Sequence, residues 1–195
     1  MIHASRIPTA ENPLADRKRW TADDCRKLEA MELLIPGTYE LIDGEIVEKV
    51  GQNLPHSIAN GRTFLALSLV FGKDYTVLPV SIAVNDEDRP EPDVFVTKLP
   101  YKDYLGRDSL GSDDMRLVVE VSDTTLWRDR NTKMRMYGAA GIPEYWVLDV
   151  TNRKLYIHRT PTATGYTDIT EYTETQSVSP LAAPDATLSI ADLLP

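Results

Sequence analysis

The chain has 195 residues, 42% of them hydrophobic and 26% charged, with a formal net charge of −9. These values fit a soluble globular protein of ordinary composition. They argue against a nonspecific, high-affinity grip on nucleic acid by phosphate neutralisation alone. The single cysteine, Cys25, excludes an internal disulfide and any cysteine-based zinc site.

The opening stretch MIHASRIPTAENPLADRKRW lacks the apolar run of a secretory signal, and FLALSLVFG is too short to cross a bilayer. The expectation is a cytoplasmic protein with no membrane partner. Residues 1–20, polar and broken by proline, read as a flexible arm, and residues 21–195 as a single domain. Thr21 is an N-cap for a short helix carrying Leu28, Met31 and Glu32, stopped at Pro36-Gly37. YELIDGEIVEKV alternates around Asp43-Gly44, the signature of a two-residue hairpin.

A helix over 55–71 follows, its apolar pattern set by Ile58, Phe64, Leu65, Leu69 and Phe71, with Gly72 as its stop. YTVLPVSIAVN reads as a strand or two, PDVFVTK as another, and residues 99–114 as a polar loop. LVVEVS is a third strand, followed by a helix around 126–140 that Gly141 and Pro143 close. EYWVLDV and KLYIHRT form a strand pair joined at Thr151-Asn152. A strand near 166–173 and a loose closing segment complete the chain. From residue 55 to 150 the order is helix, strand, strand, strand, helix, strand, an α/β fold with a mixed sheet flanked by helices.

Glu120 breaks the apolar strand LVVEVS, where an unpaired charge would cost several kcal/mol. Strand alternation puts it on the face of Val118 and Ser122. Asp93 opens PDVFV, so Asp93 and Glu120 converge if the two strands are neighbours. Converging carboxylates in a dry place repel unless a cation lies between them or one is protonated. Oxygen ligands with room for water suit Mg²⁺ or Mn²⁺. The bland alternative is a helix cap or a pair with Arg89, Arg116, Arg128 or Arg130. Lys133, Met136, Tyr137 and Ala140 share one helical stripe, which would bring an ammonium near the end of the Glu120 strand. Equally, Lys133 could be a surface partner of Asp129 at i, i+4. The helix at 55–71 holds no acid, so a third carboxylate must come from the hairpin, as Glu45 or Glu40. His56 reads as a cap or surface residue, and the aromatics as core rather than a base-stacking platform.

YELIDGEIVEKV, PHSIA, PEPDVFV and LVVEVSDTTLWRDRNTKMRMYGAAGIPEYWVLDV, in that order, resemble the Uma family of restriction-endonuclease-like proteins. That family lies within the PD-(D/E)XK nuclease superfamily. The resemblance implies a restriction-endonuclease-like α-β-β-β-α-β core with an added N-terminal helix and hairpin. It implies a Mg²⁺- or Mn²⁺-dependent endonuclease acting on nucleic acid, with DNA and a homodimer expected. Asp93 corresponds to the aspartate of the PD element, here after Pro92, and Glu120 to the acid of (D/E)XK. The lysine expected two residues later is Ser122; its role falls to Lys133 on the next helix. The implied catalytic set is Asp93, Glu120, Lys133 and Glu45, with the metal on Asp93, Glu120 and the Val121 carbonyl. The competing reading is a nuclease fold kept as a non-catalytic binding or assembly module, to which the acidity and Ser122 point. A small-molecule hydrolase finds no Ser-His-Asp order or phosphate-binding glycine loop in its favour.

Overall fold

The computed structural model describes residues 17–49 and 51–195. Most of the expected N-terminal arm, residues 1–16, lies outside the described residues. Its last four residues are held rather than loose. Arg19 bonds Asp43 and Glu87, both at 2.7 Å, and the Trp20 N–H donates to the Gly44 carbonyl at 2.8 Å. Thr21 caps α1 (Ala22–Ala30) in a reciprocal capping box with Asp24. The helix buries Ala22 and Cys25, while Met31 just beyond it lies in solvent.

The hairpin β1 (Tyr39–Ile42) and β2 (Glu45–Glu48) turns at Asp43-Gly44, both with positive φ. Only glycine serves at the second position. Its φ is +69°, and a Cβ there would sit 2.9 Å from that of Arg19. Asn53 then caps α2 (Leu54–Phe71), and Gly72 ends it. The packed face of α2 differs from the expected stripe: Ala59, Asn60, Thr63 and Leu67 are buried, while Leu69 is 89% exposed. Phe64 and Phe71 of that stripe do pack against the core, while Ile58, Leu65 and Leu69 lie exposed.

β3 (Thr76–Val77), β5 (Val94–Thr97), β7 (Met115–Ser122), β8 (Glu144–Asp149), β9 (Lys154–Thr162) and β10 (Gly165–Thr173) form one mixed sheet. Its order is β10-β9-β8-β7-β5-β3, with β7 and β8 the parallel pair. Two short strands outside it, β4 (Ile82–Ala83) and β6 (Leu110–Gly111), pair with each other, and β6 interrupts the expected polar loop. The predicted helix over 126–140 comprises α3 (Leu126–Arg128), a π-helical turn (Asp129–Lys133) and α4 (Met134–Ala139). Gly138 is where α4 touches β10: a Cβ there would lie 2.3 Å from the Gly165 carbonyl oxygen.

The closing segment is ordered, not loose. β11 (Ser177–Val178) pairs with β12 (Leu188–Ser189), and α5 (Ile190–Leu193) follows. Ile190, Leu193 and Leu194 join α2 over one face of the sheet, packed with Leu117, Val119, Val121, Trp146 and Leu148. The other face carries Phe95, Val118, Tyr145 and Val147, packed with Met136 and Tyr137 of α4. β7 is therefore covered on both sides, the arrangement expected of a central parallel strand. Among the described residues no helix is long and apolar enough to cross a membrane.

Candidate active site

Asp93 lies one residue before β5, whose Val94 pairs with Val119 of β7. The ladder thus brings Asp93 level with Glu120, as strand adjacency required. In place of a backbone carbonyl, Asp93 Oδ2 accepts the Val121 N–H at 2.8 Å. Its other oxygen accepts from Gln52 Nε2 at 3.3 Å. This tether fixes one carboxylate against the strand that carries the second.

Glu120 is 3% exposed and shares a face with Val118, toward the helix over 126–139. Its Oε1 accepts from Lys133 Nζ at 3.0 Å and from the Tyr137 hydroxyl at 2.8 Å. Among the described residues no group donates to Oε2, although Glu120 lines a cavity of about 190 Å³. Lys133 is 4% exposed, so the surface pair with Asp129 gives way to a buried ammonium between carboxylates. The π turn ending at Lys133 adds a residue to the helical repeat, a device frequent at functional sites.

The third carboxylate is Glu40, not Glu45. Glu40 Oε1 accepts from Lys133 Nζ at 3.0 Å and from the Glu91 N–H at 2.7 Å. Glu45 sits at the turn end of the hairpin, exposed, 3.5 Å from Arg17. Pairing puts Glu45 opposite Ile42 and Glu40 opposite Val47, so the two acids are offset by about 7 Å along the strand.

Two further residues support the site, His56 from its wall and Ser122 from behind it. His56, expected as a cap or surface group, places Nε2 3.4 Å from Asp93 Oδ2, while its backbone N–H is bound by the Asn53 cap. Its Nδ1 is buried without a partner among the described residues. Ser122, in the slot where the superfamily pattern has lysine, donates to Asp129 Oδ2 at 2.6 Å, and Thr125 donates to the same atom. Asp129 in turn accepts the Tyr145 hydroxyl at its carbonyl, 3.0 Å away. Ser122 thereby anchors the turn that delivers Lys133.

The electrostatics follow from this crowding. Burial pushes the Glu120 carboxyl well above the ordinary carboxylate value, against the pull of the Lys133 charge. Burial works against the Lys133 ammonium too, but Glu120, Glu40 and Asp129 outweigh it and hold the amine protonated above the ordinary lysine value. Desolvation would lower His56, yet its hydrogen bond to Asp93 and that carboxylate's charge raise it overall.

Carboxylates thus outnumber the ammonium they surround, and Glu120 retains an unbonded oxygen beside Asp93. Among the described residues no three His, Cys, Asp or Glu side chains already form a complete metal cage. Two carboxylates, a backbone carbonyl and space for water nevertheless fit a Mg²⁺-class ion, which keeps several waters. The donor set is therefore compatible with a divalent cation.

A search of curated proteins returns no match. Among solved structures, the fold is similar to a putative nuclease belonging to DUF820 from Anabaena variabilis. The TM-score is 0.61 at 16% identity, covering 85% of this chain and 94% of that one. At that identity the likeness speaks to the fold, and it agrees with the mixed sheet flanked by helices. Residues 27–191 match the Uma2 family, described as "Putative restriction endonuclease", and the chain belongs to that family.

Proposed function

We propose that the chain is a divalent-metal-dependent endonuclease that hydrolyses phosphodiester bonds of nucleic acid, with DNA as its substrate. One observation carries the reading: a buried ammonium, Lys133, lies 3.0 Å from both Glu120 and Glu40, beside Asp93, in a cavity open to a ligand. Asp93, Glu120 and the Val121 carbonyl would hold Mg²⁺ or Mn²⁺, which when bound polarises a phosphate oxygen and lowers the pKa of water.

The chain's own residues divide the remaining work. Asp93, fixed by the Val121 N–H, and Glu120, fixed at Oε1 by Lys133 and Tyr137, present oriented oxygens without reorganisation. Lys133 stays protonated, so it acts as a donor and not as a base at neutral pH: it stabilises charge developing on the phosphate and holds the attacking water. Glu40 and Asp129 position that amine. Ser122 is accounted for by its bond to Asp129, which weakens the case that its presence marks a non-catalytic module. The working unit in this reading is a cytoplasmic homodimer, which light scattering and cell fractionation can test.

The decisive assay is cleavage of plasmid and single-stranded DNA with Mg²⁺, with Mn²⁺ and with chelator. Wild type should cut only with metal, and Glu120→Gln should lose at least about a hundredfold, as when a preorganised electrostatic group is removed. Equal cleavage by both proteins would overturn the assignment.

A further inference from the structure

We infer that the site accepts nucleic acid with an unstacked nucleotide beside the scissile phosphate, and that Trp127 is the platform for its base. The inference rests on the nuclease reading and names its substrate class.

It begins with a shortage of cations. The lysines and arginine lining the cavity are Lys49, Lys133 and Arg128, amid a larger number of carboxylates, and His56 there faces Asp93. Lys49 is paired with Glu91, and Lys133 with Glu40 and Glu120. Among the described residues Arg128 is in no ion pair. A protein that tracks a duplex neutralises a row of phosphates with lysine and arginine. The cavity itself offers a phosphate row only this one unpaired guanidinium, on a chain of net charge −9. Beside the scissile phosphate, affinity then calls for another kind of contact.

Residues adjoining the lining in the chain supply one. Trp127, the residue before Arg128, is 72% exposed, and so is Leu54, which follows Asn53 and opens α2. The Asn53 side chain donates to Asp123, and both of those residues line the cavity with Arg128. Asn131 Nδ2 donates to the Trp127 carbonyl at 2.7 Å, which steadies the turn bearing the indole. Against a duplex, whose base faces are covered by their neighbours, an exposed indole meets only sugar and phosphate. Against an unpaired base it offers a π-face, and stacking of this kind is tolerant of sequence. Arg128 beside it can take the adjoining phosphate.

Three labelled DNAs test this with the full chain: a single strand, its fully paired duplex, and the duplex with one unpaired base. Anisotropy without metal reads binding, and cleavage with Mn²⁺ reads KM and kcat. The strand and the bulged duplex should bind and be cut in preference to the paired duplex. Trp127→Ala should weaken Kd and KM for them by about 5- to 150-fold, the range set by stacking energies. The kcat should hold, and Trp127→Phe should restore most of the loss because an aromatic face suffices. A paired duplex that is the best substrate, or an unchanged Kd in Trp127→Ala, overturns the inference, as does failure of all three DNAs to bind. If wild type cuts nothing but strand binding still depends on Trp127, the platform stands and the nuclease reading falls.

Discussion

Two buried glutamates on adjacent strands, Glu120 on β7 and Glu144 on β8, differ in what is left for each to do. Glu144 is fully used. Arg159 donates to its Oε1 through Nε at 2.8 Å and Nη2 at 2.6 Å, and the Leu181 N–H donates to Oε2 at 2.7 Å. Arg159 also reaches the Ser179 carbonyl at 2.7 Å, so the pair clamps the C-terminal segment to the sheet. Glu120 has both of its donors on one oxygen and keeps the other beside a second carboxylate. Burial alone therefore does not mark a functional acid; an unspent oxygen facing a cavity does.

The largest expected contrast is in activity. Glu120→Gln should lower cleavage by about a thousandfold, the upper range for loss of one preorganised group. Glu144→Gln should leave the rate per folded molecule unchanged, as a steady-state assay corrected for folded fraction will report. Stability should not separate the two sites in that way. Removing one partner of a buried pair costs about 3–5 kcal/mol, so Arg159→Met should fall by that amount in urea titration. Lys133→Met should lose as much, since Glu40 and Glu120 would face each other unshielded, but Mn²⁺ should recover part of its loss and none of that in Arg159→Met.

A third effect comes from the aromatic side of the same sheet. His158, buried with its ring 5.2 Å from that of Tyr145, is pushed down by burial to about 4. Between that value and the unfolded one near 6.5, the unfolded chain binds a proton that the native chain refuses. Stability should rise with pH across that window and fall on acidification, by about 3 kcal/mol at most. His158→Phe should flatten that part of the pH profile of urea unfolding and leave the metal dependence alone. The smallest effect is Tyr137→Phe, which removes one donor from Glu120 Oε1 and should cost about 1 kcal/mol by the same titration.

Alternation and helical period made much of this site legible. Strand alternation let Glu120 and Asp93 converge on condition that their strands were neighbours, and the stripe Lys133–Met136–Tyr137 offered a buried ammonium beside the alternative of a surface pair with Asp129. Those rules are local, and they failed where the answer was tertiary. Glu45 and Glu40 are indistinguishable until the hairpin is docked, when a two-residue offset leaves one in solvent with Arg17. The buried face of α2 includes the polar Asn60 and Thr63, which a hydrophobic pattern does not register. His56 enters the site only through Asp93, a partner distant in the chain. The closing residues owe their order to Ile190, Leu193 and Leu194 packing with α2, a contact no short segment announces.

Calorimetric titration of Mn²⁺ into the protein tests the difference between the two glutamates most directly. One ion should bind wild type and Glu144→Gln with the same affinity, and binding should vanish in Glu120→Gln and Asp93→Asn. Undiminished binding by Glu120→Gln, or no binding by wild type, would contradict the account.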